Sequence, residues 1–137
     1  MSLRTAAVSI ALVSGLGLAA CGSGGPSDEA AAEQEATPAQ ARAEIVATRR
    51  ALDRAVGSLR EGDAKAADDA VSEGYLQHFE KVEGPLGEVD RELTEKLEDS
   101  IREQLRAKIR DGGSAAEVTR MVSEIKGDLA TAEQRLR

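Results

Sequence analysis

Tryptophan is absent from this sequence, and cysteine, histidine, tyrosine and phenylalanine occur once each. A single cysteine excludes an internal disulfide and a cysteine-based zinc cage. A single histidine excludes a three-histidine metal centre and leaves a Ser-His-Asp triad little material. Two aromatic residues cannot build a base-stacking platform, and a formal charge of −7 repels phosphate, so nucleic acid is not an expected partner. A helical di-iron oxidase would need Glu-x-x-His twice. Here Tyr75, not a glutamate, precedes His78 by three, so the chain is not expected to be an enzyme. Its 137 residues suit one domain.

The first 20 residues form a segment of their own. Arg4 and the amino terminus make a short positive region, and residues 6–20 are apolar and uncharged, too short for a stable transmembrane helix. The stretch closes Leu18-Ala19-Ala20-Cys21, which looks like a lipobox. That resemblance implies cleavage before Cys21 and a diacylglyceryl thioether on its sulfur. The mature chain is then expected at the cell membrane, lipid-anchored on the extracytoplasmic face. Acylation also removes a thiol that an oxidising compartment would attack, and two acyl chains anchor stably. The string Gly15-x-Gly17-x-x-Ala20 matches a dinucleotide fingerprint formally, but it follows no strand and lies in the removed segment.

Residues 21–36 read as the lipidated cysteine and a tether. Gly22 to Ser27 is rich in Gly, Ser and Pro, and Asp28 to Ala36 is Ala/Glu-rich without an apolar period. Residues 37–137 carry four amphipathic patterns, each with its own start signal. Thr37-Pro38-Ala39-Gln40 spells a capping box with proline at the first helical position, ahead of Ile45, Leu52, Val56 and Leu59. Gly62 ends that helix and Asp63 caps the next, whose stripe is Val71, Tyr75, Phe79, Val82 and Leu86. Gly84-Pro85 is expected to weaken or kink its last turn. Asp90 caps a third helix bearing Leu93, Leu97, Ile101, Leu105 and Ile109, ended by Gly112-Gly113. Ser114-Ala115-Ala116-Glu117 is a second capping box, opening the stripe Val118, Met121, Val122, Ile125, Leu129, Ala132 and Leu136. No segment alternates with period two. Short turns between helices favour antiparallel neighbours, so the expected fold is all-α, an up-down-up-down four-helix bundle.

The second and third helices break their own pattern. At about 100° per residue Glu83 projects between Phe79 and Leu76, and Glu98 between Leu105 and Ile109. A carboxylate inside an apolar arc needs a partner, because unpaired burial of charge is costly. If the turn centres near Val89, Glu80 lies level with Glu98 and Glu83 with Glu95, so two E-x-x-E pairs face each other. Carboxylate-lined bundle interiors can hold iron or manganese. The candidate ligands are therefore Glu80, Glu83 and Glu98, then Glu95, with His78 and Tyr75 nearby. Two other readings stand beside this one: an internal ion-pair network, in which Arg106 and Arg49 each neutralise a carboxylate, and a solvated acidic face. Tyr75 and Phe79 also read as core residues, and His78 as a boundary histidine.

The run Tyr75-Leu76-Gln77-His78-Phe79-Glu80-Lys81-Val82-Glu83-Gly84-Pro85-Leu86 is similar to the Y-L-x-x-F-E-x-V-E-x-x-L segment of the extracytoplasmic helical domain of bacterial high-affinity iron permeases. Leu97-Glu98-x-x-Ile101-x-x-x-Leu105-Arg106 resembles that domain's second signature helix, and Gly112-Gly113 with the Val118 to Leu136 stripe follows in order. The likeness spans residues 40–137. It implies an accessory of iron uptake that binds or presents the ion outside the membrane, through Glu80, Glu83 and Glu98, with Arg106 orienting a carboxylate. The permeases continue into membrane helices with an R-E-x-x-E motif. Arg91-Glu92-Leu93-Thr94-Glu95 spells that string on a soluble amphipathic helix, where it is read as coincidence. The chain is accordingly expected to work with an iron permease or another envelope protein rather than transport by itself. The alternative is a structural or interaction lipoprotein whose bundle docks an envelope partner without binding metal.

Overall fold

The structure is a computed structural model and describes residues 35–137. The signal segment, Cys21 and most of the tether lie outside the described residues. Four helices form an all-α bundle: α1 (Pro38–Arg60), α2 (residues 64–89), α3 (residues 91–110) and α4 (Ala115–Arg135). None of the described helices is long and apolar enough to cross a membrane.

Each start signal forms as chemistry dictates. Both capping boxes close on both sides, Thr37 with Gln40 and Ser114 with Glu117. Asp63 accepts from the Ala66 amide at 2.8 Å and Asp90 from the Leu93 amide at 3.1 Å. Gly62 and Gly112 follow the first and third helices with φ of 85° and 80°, values that β-carbon-bearing residues rarely adopt.

Neighbours run antiparallel, α1 against α2 and α4, and α3 against the same two. Polar contacts fix the registers. Arg42, at the start of α1, donates to the Leu136 carbonyl past the end of α4, and Lys126 reaches back to Asp53. His78 on α2 meets Glu44 on α1, Arg106 on α3 meets Asp68 on α2, and Lys96 on α3 meets Asp128 on α4. The sequence stripes supply the core, with Ile45, Leu52, Phe79, Leu97, Leu105 and Leu129 fully buried. Gly74 lets α1 and α2 approach closely: a Cβ there would stand 2.6 Å from the Ala51 Cβ.

Two turns depart from α geometry. Tyr75–Phe79 in α2 and Asp99–Leu105 in α3 are π-helical. Their cause is legible in the stripes. Leu93, Leu97, Ile101, Leu105 and Ile109 advance by fours throughout, which in a straight α-helix drifts by about 160° over the series. Yet Leu97, Ile101 and Leu105 are all fully buried. A wider i→i+5 turn absorbs the drift and returns them to one face. The fours at Val71, Tyr75 and Phe79 ask for the same correction in α2. α2 continues through Gly84-Pro85 to Val89 with Pro85 and Leu86 buried, Pro85 having no N–H to donate to the turn before it, and the π-turn lies earlier, at Tyr75–Phe79.

Candidate functional site

The π-turns of α2 and α3 bring a small polar group together between the helices. Tyr75, in the first π-turn, is buried, its ring centroid 6.0 Å from that of Phe79. Arg102, in the second, places its guanidinium carbon 5.8 Å from the Tyr75 ring centroid, within cation–π range. The same guanidinium bonds Glu98 at 3.1 Å and approaches Glu103 at 3.4 Å. Glu83 turns inward, and its Oε1 is buried with no hydrogen-bond partner.

Electrostatics follow from this geometry. Burial pushes the Glu83 carboxyl above the usual carboxylate range, and the charges of Glu98 and Glu80 push it further; Tyr75 and Arg102 offset only part. Burial, with the Glu83 and Glu98 carboxylates beside it, drives the Tyr75 phenol up as well. Arg102 thus pairs directly with Glu98 and Glu103 and offsets only part of the charge at Glu83, while Lys81 and Arg106 line the adjoining clefts. Two clefts open onto the group and share Leu76 and Glu80 as the ridge between them. The larger, about 750 Å³, is lined by Glu83, Glu44 and the chain entering α1 at Glu35. The smaller, about 220 Å³, is lined by Tyr75, Ser72, Arg102 and Arg106.

The sequence candidates divide. Glu83, Glu98 and Tyr75 converge, and Glu80 stands exposed at the edge, close enough to raise the Glu83 pKa. Glu95 does not join them. It is turned to solvent and pairs with Arg91 on its own helix at 3.7 Å, so the expected facing of Glu83 and Glu95 is corrected to Glu83 and Glu98. His78 leaves the group too, its Nδ1 lying 2.7 Å from Glu44 Oε2 on α1. Burial raises the Glu44 carboxyl, but His78 and Lys81 outweigh that and hold it below the usual range.

The arginines expected to neutralise the cluster do not. Arg106 forms a two-pronged pair with Asp68, at 2.8 and 3.0 Å, which depresses the Asp68 pKa. Arg49 pairs with Glu133 on α4 at 3.1 Å. The reason is register: Asp68 lies across from Arg106, and Arg49 faces α4 instead of α3. Arg102 takes the role instead. Its position four residues after Glu98 could have identified it, since such pairs share a helix face. Glu44 and Asp68 gave no comparable signal, because their partners sit on other helices.

Among the described residues no group of three or more His, Cys, Asp or Glu is gathered as a metal cage. The converging donors are two carboxylates and a phenol, with a third carboxylate at the rim, all oxygen ligands suited to hard cations. Comparison with family models, curated proteins and solved structures found no match.

Proposed function

We propose that this chain is a membrane-anchored extracytoplasmic lipoprotein that binds a metal cation, iron in the first instance, and serves iron uptake as an accessory to a separate permease. One observation carries the reading. Glu83 Oε1 is buried without a partner while Glu98 and Glu80 add negative charge around it. A carboxylate oxygen in that position destabilises the resting bundle, and a cation would satisfy it. Glu83, Glu98 and Tyr75 would supply oxygen donors, with Glu80 at the entrance. The likeness to the extracytoplasmic domain of iron permeases, and the lipobox at Cys21, support the same reading.

Calorimetric titration of the full chain in detergent with ferrous, ferric, manganous and calcium ions tests it. Saturable binding of one ion, lost in Glu83→Gln, is the expected result; heats of dilution alone for every ion would end the proposal. The alternative, docking of an envelope partner without metal, draws on Leu76, which is 50% exposed on the ridge between the clefts. Under that reading Leu76→Glu abolishes partner capture and Glu83→Gln leaves it unchanged.

A further inference from the structure

An open groove of about 590 Å³ runs between α3 and α4. Met121 and Ile125 form its floor, and Asp99, Glu124 and Asp128 stand on its walls. Its one basic residue, Lys96, is bonded to Asp128 at 2.8 Å, so the groove keeps a surplus of negative charge. Beyond Lys96 and Thr131 it continues into a smaller cleft beside Leu93. α1 has the opposite sign: five arginines stand against two carboxylates, in a chain of formal charge −7. Val46, Arg50 and Arg54 recur every four residues along its outer side, and all three are exposed, Val46 by 39%. Arg50 has no ion pair among the described residues, and Arg54 meets only the exposed Glu73, at 3.3 Å. We propose that the groove takes a second copy of this chain: α1 of one bundle lies along the α3–α4 groove of the next, the two bundles parallel, with Arg50 and Arg54 against Asp99, Glu124 and Asp128.

Levels along the bundle agree with this. Asp53 on α1 meets Lys126 on α4, and Asp128, just beyond, meets Lys96 on α3. Arg50 and Arg54, on either side of Asp53, therefore stand within about a turn of the level of Asp99, Glu124 and Asp128. Arg49 meets Glu133 and Arg135 meets Asp90, which puts Val46 within about a turn of the level of Leu93. Two copies side by side at one height bring basic against acidic and apolar against apolar without sliding. Other occupants fit worse. Between Cys21 and Gln40 the chain has Asp28, Glu29, Glu33 and Glu35 and no Lys or Arg, so its own tether is repelled. Two-fold pairing of α1 with α1, or of groove with groove, sets like charges together. α1 packs on α2 and α4 with α3 diagonally across, so each copy offers both surfaces at once and the contact repeats into a row or a ring. The lipid anchor read at Cys21 would hold neighbouring copies parallel and level, and at high effective concentration.

The contact uses neither Glu83 nor Leu76, so it stands or falls apart from the readings above. Energy transfer between full-length copies, carrying donor or acceptor dyes on a C-terminal tag in phosphatidylcholine vesicles, tests it. Wild type should transfer above the level of randomly scattered copies, and less as salt rises. Arg50→Glu and Glu124→Arg exchange exposed side chains that make no ion pair among the described residues. Each alone should weaken association at least ~10-fold by setting like charges together. Mixing the two variants should restore transfer, because every α1 then meets a groove of opposite sign on the other variant. Transfer at the random level in wild type would overturn the proposal, as would transfer that neither reversal changes. Reversals that abolish transfer without mutual rescue would overturn it too, placing the contact elsewhere. Flotation reports separately whether the chain is anchored. If it stays in solution, the same transfer and rescue are read there, since the contact itself needs no membrane. Should either reversal fail to melt cooperatively, Arg50→Gln and Glu124→Gln decide instead: transfer must fall in each, and unchanged transfer overturns the proposal.

Discussion

Two opposite seams of this bundle, α1–α4 and α2–α3, are built on different terms. Along the α1–α4 seam both helices run without interruption, both open with a closed capping box, and cross-seam groups are matched: Arg49 with Glu133, Lys126 with Asp53, Arg42 with the Leu136 carbonyl. Along the α2–α3 seam both helices widen into π-turns, and a carboxylate oxygen is buried with nothing to bond. The first seam is the arrangement that packing and capping produce unaided. The second carries a fault that folding alone does not need, and departures of this kind concentrate where ligands bind.

The sharpest way to break the comparison is to remove one residue from each side. Deleting Glu124 from α4 rotates everything after it by about 100°. Ile125, Leu129, Ala132 and Leu136 then leave the core. Each large side chain lost removes roughly 1.5–3 kcal/mol of burial, so together they rival the whole stability of a domain this size. That variant should not fold. Deleting Glu103 from α3 should be tolerated. Its stripe then advances 4, 4, 3, 4, the spacing of an ordinary α-helix, and Leu105 and Ile109 keep their face. A melting temperature within about 5 °C of wild type is expected, less than ~1 kcal/mol, with altered tyrosine emission as the turn carrying Arg102 tightens. Thermal melts followed by circular dichroism decide it. Unfolding of the Glu103 deletion would mean that the π-turn is structural rather than an accommodated insertion.

That contrast also marks what the residues disclose by themselves. Four helices, their ends and nearly all the core are readable because caps, glycines and apolar spacing act locally. The π-turns were equally present in the run of fours from Leu93 to Ile109, but a stripe read only for helical character conceals its drift. Glu83 and Glu98 stood out because they interrupt apolar arcs. Their cation was signalled only by spacing, Arg102 standing four residues after Glu98 on a shared helix face, with Arg106 one turn further on. Pairs such as His78 with Glu44 depend on how one helix slides along another, which no local signal records.

A smaller effect separates two carboxylates on α2. Asp68 is paired and its pKa is lowered; Glu83 keeps one buried oxygen without a partner and its pKa is raised. By linkage, Asp68 contributes stability that is complete above its unfolded value near 3.8 and is lost as pH falls through the depressed folded value. Asp68→Asn should cost about 1–2 kcal/mol at pH 7, the scale of a charge-assisted hydrogen-bonded pair at a half-buried position. The deficit should shrink as pH falls below 3.8 and through the depressed folded value. Denaturant melts at pH 7 and at successively lower pH follow it. A deficit that ignores pH would show that Asp68 acts through packing alone.

Glu83→Gln should have the smallest effect, and the opposite sign. A carboxyl with a raised folded pKa opposes folding when ionised, and the penalty disappears as pH falls through that raised value. The amide keeps the shape and removes the charge from beside Glu98 and Glu80. At pH 7 without metal the variant should therefore be more stable than wild type, by no more than ~1 kcal/mol because water still reaches part of the site. Near pH 4 the two should converge. Added cation should reverse the order, stabilising wild type in proportion to the logarithm of its concentration and leaving Glu83→Gln unmoved. Melts at pH 7, with and without manganous ion, make the test. A variant less stable than wild type before metal is added would show that Glu83 is already satisfied, and the case for a cation among these carboxylates would lose its foundation.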